Sequence, residues 1–138
     1  MRVVVDANVL VSAVISSAGP PREVLTAWTQ ERFELVASPA LLEELREVLA
    51  RPKLRRWVSE QVAEAYLAGL GQDAMLIEDP PPIPGLTPDP DDDYLVALAR
   101  AAHADCLVSG DRHLLELTDP EPPVLTPRAF LALLQGGA

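Results

Sequence analysis

Cysteine occurs once in this chain, at Cys106, so no internal disulfide and no cysteine-based zinc cluster can form. The setting Asp105-Cys106-Leu107-Val108 reads as a strand, which makes Cys106 a buried structural thiol rather than a nucleophile. Long hydrophobic runs are missing as well. The longest apolar stretches, such as Val3 to Val5 and Leu95 to Ala99, fall far short of the ~20 residues that a membrane-spanning helix needs. Asp6 and Asn8 interrupt the N-terminal apolar run before a signal-peptide cleavage site could follow, so a cytoplasmic protein is expected. The two histidines, His103 and His113, lack partners at metal-ligand spacing and read as helix-end or surface residues. Positive charge is scarce: eleven Lys and Arg stand against twenty-one Asp and Glu, a net charge of −10. That balance opposes a general nucleic-acid-binding surface, because affinity for a polyanion comes largely from Lys and Arg displacing counterions. Acids gathered under bound cations reverse the local field.

What is present suits one α/β domain over 1–138: nearly half of the residues are apolar, enough for a sizeable core. Arg2-Val3-Val4-Val5 is a β-branched run ending at a turn-prone Asp, the pattern of a strand buried on both faces. A helix is expected from about Asn8 to Ile15, and Gly19-Pro20-Pro21 breaks the chain before a second one through Trp28. Phe33 to Ala37 reads as a second strand, followed by a helix to about Ala50 opened by the pair Ser38-Pro39. Another helix is expected from Val58 to Leu70, ending near Gly71. Met75 to Ile77, Asp105 to Val108 and Pro123 to Leu125 supply three more strands, and Thr126-Pro127 caps a last helix. Strands alternating with helices imply a parallel sheet covered on both faces, with sites at the carboxyl ends of the strands. The stretch from Asp79 to Pro90 is a stiff, proline-rich connector leading into Asp91-Asp92-Asp93.

Acidic residues mark the place of interest. Asp6 follows the first strand and Asp111 follows the Cys106 strand, so the sheet rule puts both at one carboxyl edge. On the helix after Ser38, a rotation of about 100° per residue separates three glutamates: Glu43 and Glu47 face away from the apolar face of Leu41, Leu42, Leu45, Val48 and Leu49, whereas Glu44 borders it. The same construction beyond the connector takes Leu95, Leu98, Ala99 and Ala102 as buried, which sends Asp93 outward and leaves Asp92 on the flank. Asp89 and Asp91 precede that helix, each either an N-cap or an accessory ligand. Taken singly, Asp6, Asp92 and Asp111 are ordinary helix starts; jointly with Glu44 they form a constellation whose mutual repulsion needs compensating cations. Hard oxygen ligands without Cys favour Mg²⁺ or Mn²⁺ over zinc. Asn8 and Ser109 are candidates for orienting carboxylate or water, with turn and capping roles the alternative. Four of the eleven basic residues, Arg51, Lys53, Arg55 and Arg56, lie just before Trp57, as either a solvated turn or a substrate-contacting patch.

Taken in order, Val3-Val4-Val5-Asp6-Ala7-Asn8, the Glu44 helix with Arg51-Pro52-Lys53 after it, Asp89-Pro90-Asp91-Asp92-Asp93 and Leu107-Val108-Ser109-Gly110-Asp111 together resemble a PIN domain over nearly the whole chain. The similarity is strongest to PIN-family toxin components of bacterial and archaeal toxin–antitoxin systems. It implies a three-layer α/β/α, Rossmann-like domain with a central parallel sheet of about five strands, and a metal-dependent ribonuclease with its four acids at Asp6, Glu44, Asp92 and Asp111. It also implies a polar partner at Ser109, frequent homodimers and an antitoxin protein as partner.

These readings converge on an endoribonuclease in which the carboxylates hold one or two Mg²⁺ or Mn²⁺ ions and water attacks the phosphodiester. Single-stranded or looped RNA is the expected substrate, because its bases are splayed. Two alternatives compete. An aspartate-based phosphatase would use Asp6 as nucleophile, yet Asn8 stands where a second Asp is wanted and Lys53 is the sole lysine. A catalytically silent interaction module would dock a basic partner on the acidic surface.

Overall fold

Hydrophobic residues on both faces of the first strand set the layering. The computed structural model describes residues 1–136, apart from the side chains of Pro90 and Asp91. Val3 and Val5 enter one core and Val4 the other, all three with at most 1% of their surface exposed. Five strands result, Arg2–Val5 (β1), Glu34–Ala37 (β2), Met75–Leu76 (β3), Cys106–Val108 (β4) and Val124–Leu125 (β5), in the order β3-β2-β1-β4-β5. Every neighbouring pair is parallel.

Between the strands run Ala7–Ile15 (α1), Pro20–Thr29 (α2), Pro39–Leu49 (α3), Glu60–Asp73 (α4), Pro90–Ala101 (α5) and Arg112–Leu115 (α6), and Pro127–Gly136 (α7) follows the last. The first core takes its residues from α1, α2, α3, α4 and α7, with Phe33 and Phe130 in an edge-to-face contact at 5.0 Å. Leu95, Leu98 and Ala99 of α5 and Leu114 of α6 close the opposite face. The chain is thus a three-layer α/β/α structure. No helix among the described residues is long and apolar enough to cross a membrane.

Local signals explain most boundaries. The Ser38 hydroxyl accepts the Leu41 N–H at 3.3 Å and Pro39 occupies the first turn, so α3 starts where a cap and a fixed φ coincide. Two boundaries differ from expectation. The helix expected over 58–70 begins at Glu60 behind the Ser59 cap and continues through Gly71 to Asp73. A helical glycine costs only about 1 kcal/mol against alanine, less than α4 gains by burying Leu67 and Leu70. The arginine-rich turn is a 3₁₀ helix over Pro52–Arg56, held down by the buried Leu54.

The strand order locates the crevice. From β1 the chain moves outward through β2 and β3, then returns to the other side of β1 as β4. The carboxyl ends of β1 and β4 are therefore the switch point, where open α/β sheets form their sites.

Candidate functional site

Asp6 is the first residue beyond β1, and its N–H donates to the Val108 carbonyl at 2.9 Å, which ties it to the end of β4. Its carboxylate is 4% exposed. One oxygen accepts the Asn8 N–H at 3.2 Å and the other the Ser109 hydroxyl at 2.9 Å. Burial raises the Asp6 pKa, the hydrogen bonds from Ser109 and Asn8 oppose that rise, and the like charge of Asp111 adds to it. Ser109, fully buried, also accepts the Asp111 N–H at 3.0 Å, so one hydroxyl connects the two strand-end acids. Asp111 is half-buried and receives the His113 N–H at 2.9 Å, capping α6.

Asp92 comes to the same crevice from α5. It is 7% exposed, and its Oδ2 is the one buried side-chain oxygen or nitrogen among the described residues without a hydrogen-bond partner. Its pKa is pushed up to about 6, first by burial, then by the charges of Asp111, Asp89 and Asp6, with His113 acting weakly the other way. Glu44 is half-buried on α3, whereas Glu43 and Glu47 are exposed. Its carboxylate accepts the phenolic O–H of Tyr94 from α5. The Tyr94 phenol is raised by burial, by its bond to Glu44 and by the charges of Glu44 and Asp6. Glu44 therefore borders the field of the other acids, with Tyr94 between the helices.

The donors here are hard carboxylate oxygens, the set that suits Mg²⁺ or Mn²⁺. Among the described residues no three Asp, Glu, His or Cys side chains converge closely enough to grip one ion as they stand. Like charges repel one another, and a divalent cation would both draw the carboxylates together and satisfy the orphaned oxygen of Asp92. On that observation the residues fit such an ion.

Other sequence-derived candidates fall less centrally. Asn8 is exposed, and its contact with Asp6 runs through its backbone N–H rather than its amide side chain. It lines, with Ser12, Gly110 and Asp111, an open depression of about 280 Å³ beside the acids; larger hollows lie between α2 and α7 and at the amino edge of the sheet. Asp89 precedes α5, where its carbonyl accepts the N–H groups of Asp92 and Asp93. The Asp91 side chain lies outside the described residues. Arg51, Lys53, Arg55 and Arg56 are exposed on the 3₁₀ turn, and Arg55 donates to the Leu49 carbonyl at 2.8 Å.

Asp93 departs from expectation. Rather than facing outward it is 7% exposed and accepts the N–H groups of Thr87 at 2.6 Å and Gly85 at 3.3 Å. The connector folds back over the first turn of α5, which helical facing alone does not reveal. Asp79 pins the other end of the connector by accepting the Ala40 N–H at 3.0 Å. Tyr94 has no local signal pointing to Glu44, since the two are 50 residues apart. Cys106 is buried as expected, its thiol pushed up to about 11 by burial.

Comparison with known proteins agrees with this fold. MJ1680 of Methanocaldococcus jannaschii, an uncharacterised protein, is 27% identical over 119 residues, 86% of this chain and 76% of its own length. The crystal structure of PAE2754 from Pyrobaculum aerophilum superposes with a TM-score of 0.70 at 19% identity, covering 99% of this chain and 96% of that one. VapBC2 from Rickettsia felis, bound to a DNA fragment from its promoter, gives 0.61 at 15% identity, covering 91% of this chain and 97% of the matched one. The PIN domain model matches residues 2–113, a span that opens with the first residue of β1 and ends just after Asp111, and the chain belongs to the PIN domain family.

Proposed function

We propose that this chain is a metal-dependent endoribonuclease of one domain, the toxin of a toxin–antitoxin pair acting in the cytoplasm. The observation that carries the reading is the buried, unpartnered Oδ2 of Asp92, held in the field of Asp6 and Asp111 at the switch point of the sheet. Asp6, Glu44, Asp92 and Asp111 would hold Mg²⁺ or Mn²⁺, which supplies an activated water and stabilises charge on the phosphate. Ser109 fixes the Asp6 carboxylate and the Asp111 backbone together, so neither acid reorients freely. Tyr94 holds Glu44 at the margin of the crevice. Family membership supports a nuclease, and the likeness to VapBC2 supports an antitoxin partner; a homodimer belongs to the proposal as its working assembly.

Asp6→Asn and Asp111→Asn are each expected to lower manganese-dependent cleavage of single-stranded RNA by at least about a hundredfold, because even residues behind metal ligands cost 10–100-fold. Their circular dichroism and melting behaviour should remain those of a folded chain. Cleavage at the original rate by either variant would sink the carboxylate mechanism.

An aspartate-based phosphatase is disfavoured because Asn8 stands where a second Asp is wanted and Lys53 is the sole lysine. A silent interaction module differs from the nuclease in calorimetry: it would bind no Mn²⁺ that Glu44→Gln weakens.

A further inference from the structure

The carboxylate site makes no use of the segment from Arg51 to Trp57, which is the densest run of positive charge in an acidic chain. Four of the eleven basic residues fall within six positions there. Leu54, 6% exposed, anchors the turn, and its carbonyl accepts the N–H groups of Trp57 and Val58 at 3.0 Å. With that anchor inward, Arg51, Lys53, Arg56 and Trp57 are left exposed. Trp57, at 56%, is the most exposed of the large hydrophobic residues described. Arg55 is set apart, because its guanidinium closes the end of α3 on the Leu49 carbonyl. The Arg56 guanidinium lies 5.3 Å from the centre of the Trp57 ring, within cation–π range. Arg51 and Lys53 make no side-chain hydrogen bond or ion pair with the described residues, whereas Arg46, on α3 before them, is paired with Glu64.

The segment is continuous with the helix that bears Glu44: α3 ends at Leu49, Ala50 caps it, and Arg51 follows directly. Elsewhere the chain is dominated by carboxylates, which repel phosphate, so an approaching polyanion is drawn to this segment. An indole flanked by cations can take a base face and backbone phosphates together, the combination used for single strands. Paired bases in a duplex keep their faces stacked away from such a platform.

We propose that Arg51, Lys53, Arg56 and Trp57 form a platform for single-stranded RNA, with a base stacked on Trp57 and phosphates on the cations. The choice of RNA as ligand rests on the ribonuclease reading, but binding is measured apart from cleavage. The probe is a fluorescently labelled oligouridylate of roughly ten nucleotides, within the usual site sizes, read by anisotropy in Mg²⁺. The Asp111→Asn chain serves as parent so that the strand stays intact. Adding Trp57→Ala to that parent should weaken binding about 5- to 150-fold, the range of one lost base stack, and Trp57→Phe should stay within about threefold. Adding Arg51→Ala with Lys53→Ala should lower the slope of log K against log salt by about 1.4, the release expected for two phosphates. Binding unchanged by Trp57→Ala overturns the proposal, as does an effect of Trp57→Ala on sedimentation alone, which would mark a protein interface. If the unaltered chain fails to cut RNA in Mn²⁺ while the binding pattern holds, the ribonuclease reading falls and the platform stands.

Discussion

Asp92 carries a cost that depends on pH. Its carboxyl has an ordinary value of 3.8 and stands at about 6 in the folded chain, chiefly through burial and then through Asp111, Asp89 and Asp6. Between those values the folded state holds a proton that the unfolded state has released, so stability falls as pH rises. The contribution is fully present below 3.8 and is lost as pH passes about 6. Without metal, the urea midpoint of the unaltered chain should therefore drop from pH 4 to pH 7 relative to Asp92→Asn, whose side chain does not titrate. Equal midpoint changes for the two proteins would refute the assignment. Asp6 adds in the same direction, because burial raises it too.

At the scale of elements, caps decide where helices begin. Ser38 is fully buried, and its hydroxyl accepts the Leu41 N–H of α3, the helix that bears Glu44. Ser38→Ala is expected to destabilise the fold by about 1 kcal/mol, typical of a lost N-cap, as measured by chemical denaturation. A loss below a few tenths would mean that Pro39 and the Asp79 bond to Ala40 already secure the helix. The starts of α3 and α4 illustrate how far local reading reaches. Ser38-Pro39 marks its helix unambiguously, whereas Val58 is apolar enough to join the periodic run that follows, and Ser59 is the actual cap. Gly71 marks no end, because packing of the helix outweighs its propensity.

For the molecule as a whole, the proposed metal site predicts that divalent cations stabilise the fold. Saturation with Mn²⁺ at about 100 times its dissociation constant should add about 2.7 kcal/mol. For a chain of 138 residues this is a rise in Tm of roughly 10 °C, readable by calorimetry against an EDTA control. The gain should shrink below pH 6, where protons compete for Asp92. A Tm indifferent to Mn²⁺ at neutral pH would count against the site.

Local patterns along the chain were enough to set the alternation of strands and helices, the carboxyl-end positions of Asp6 and Asp111, and the inward border of Glu44 against the exposed Glu43 and Glu47. Those features are encoded in periods of two and 3.6 and in cap residues, all local along the chain. Long-range packing set the rest: the strand order, the Ser109 link to Asp6 across 103 residues, the reach of Tyr94 to Glu44 and the burial of Asp93 beneath the connector. Each depends on which distant segments the two cores bring together, and no local spacing records that choice.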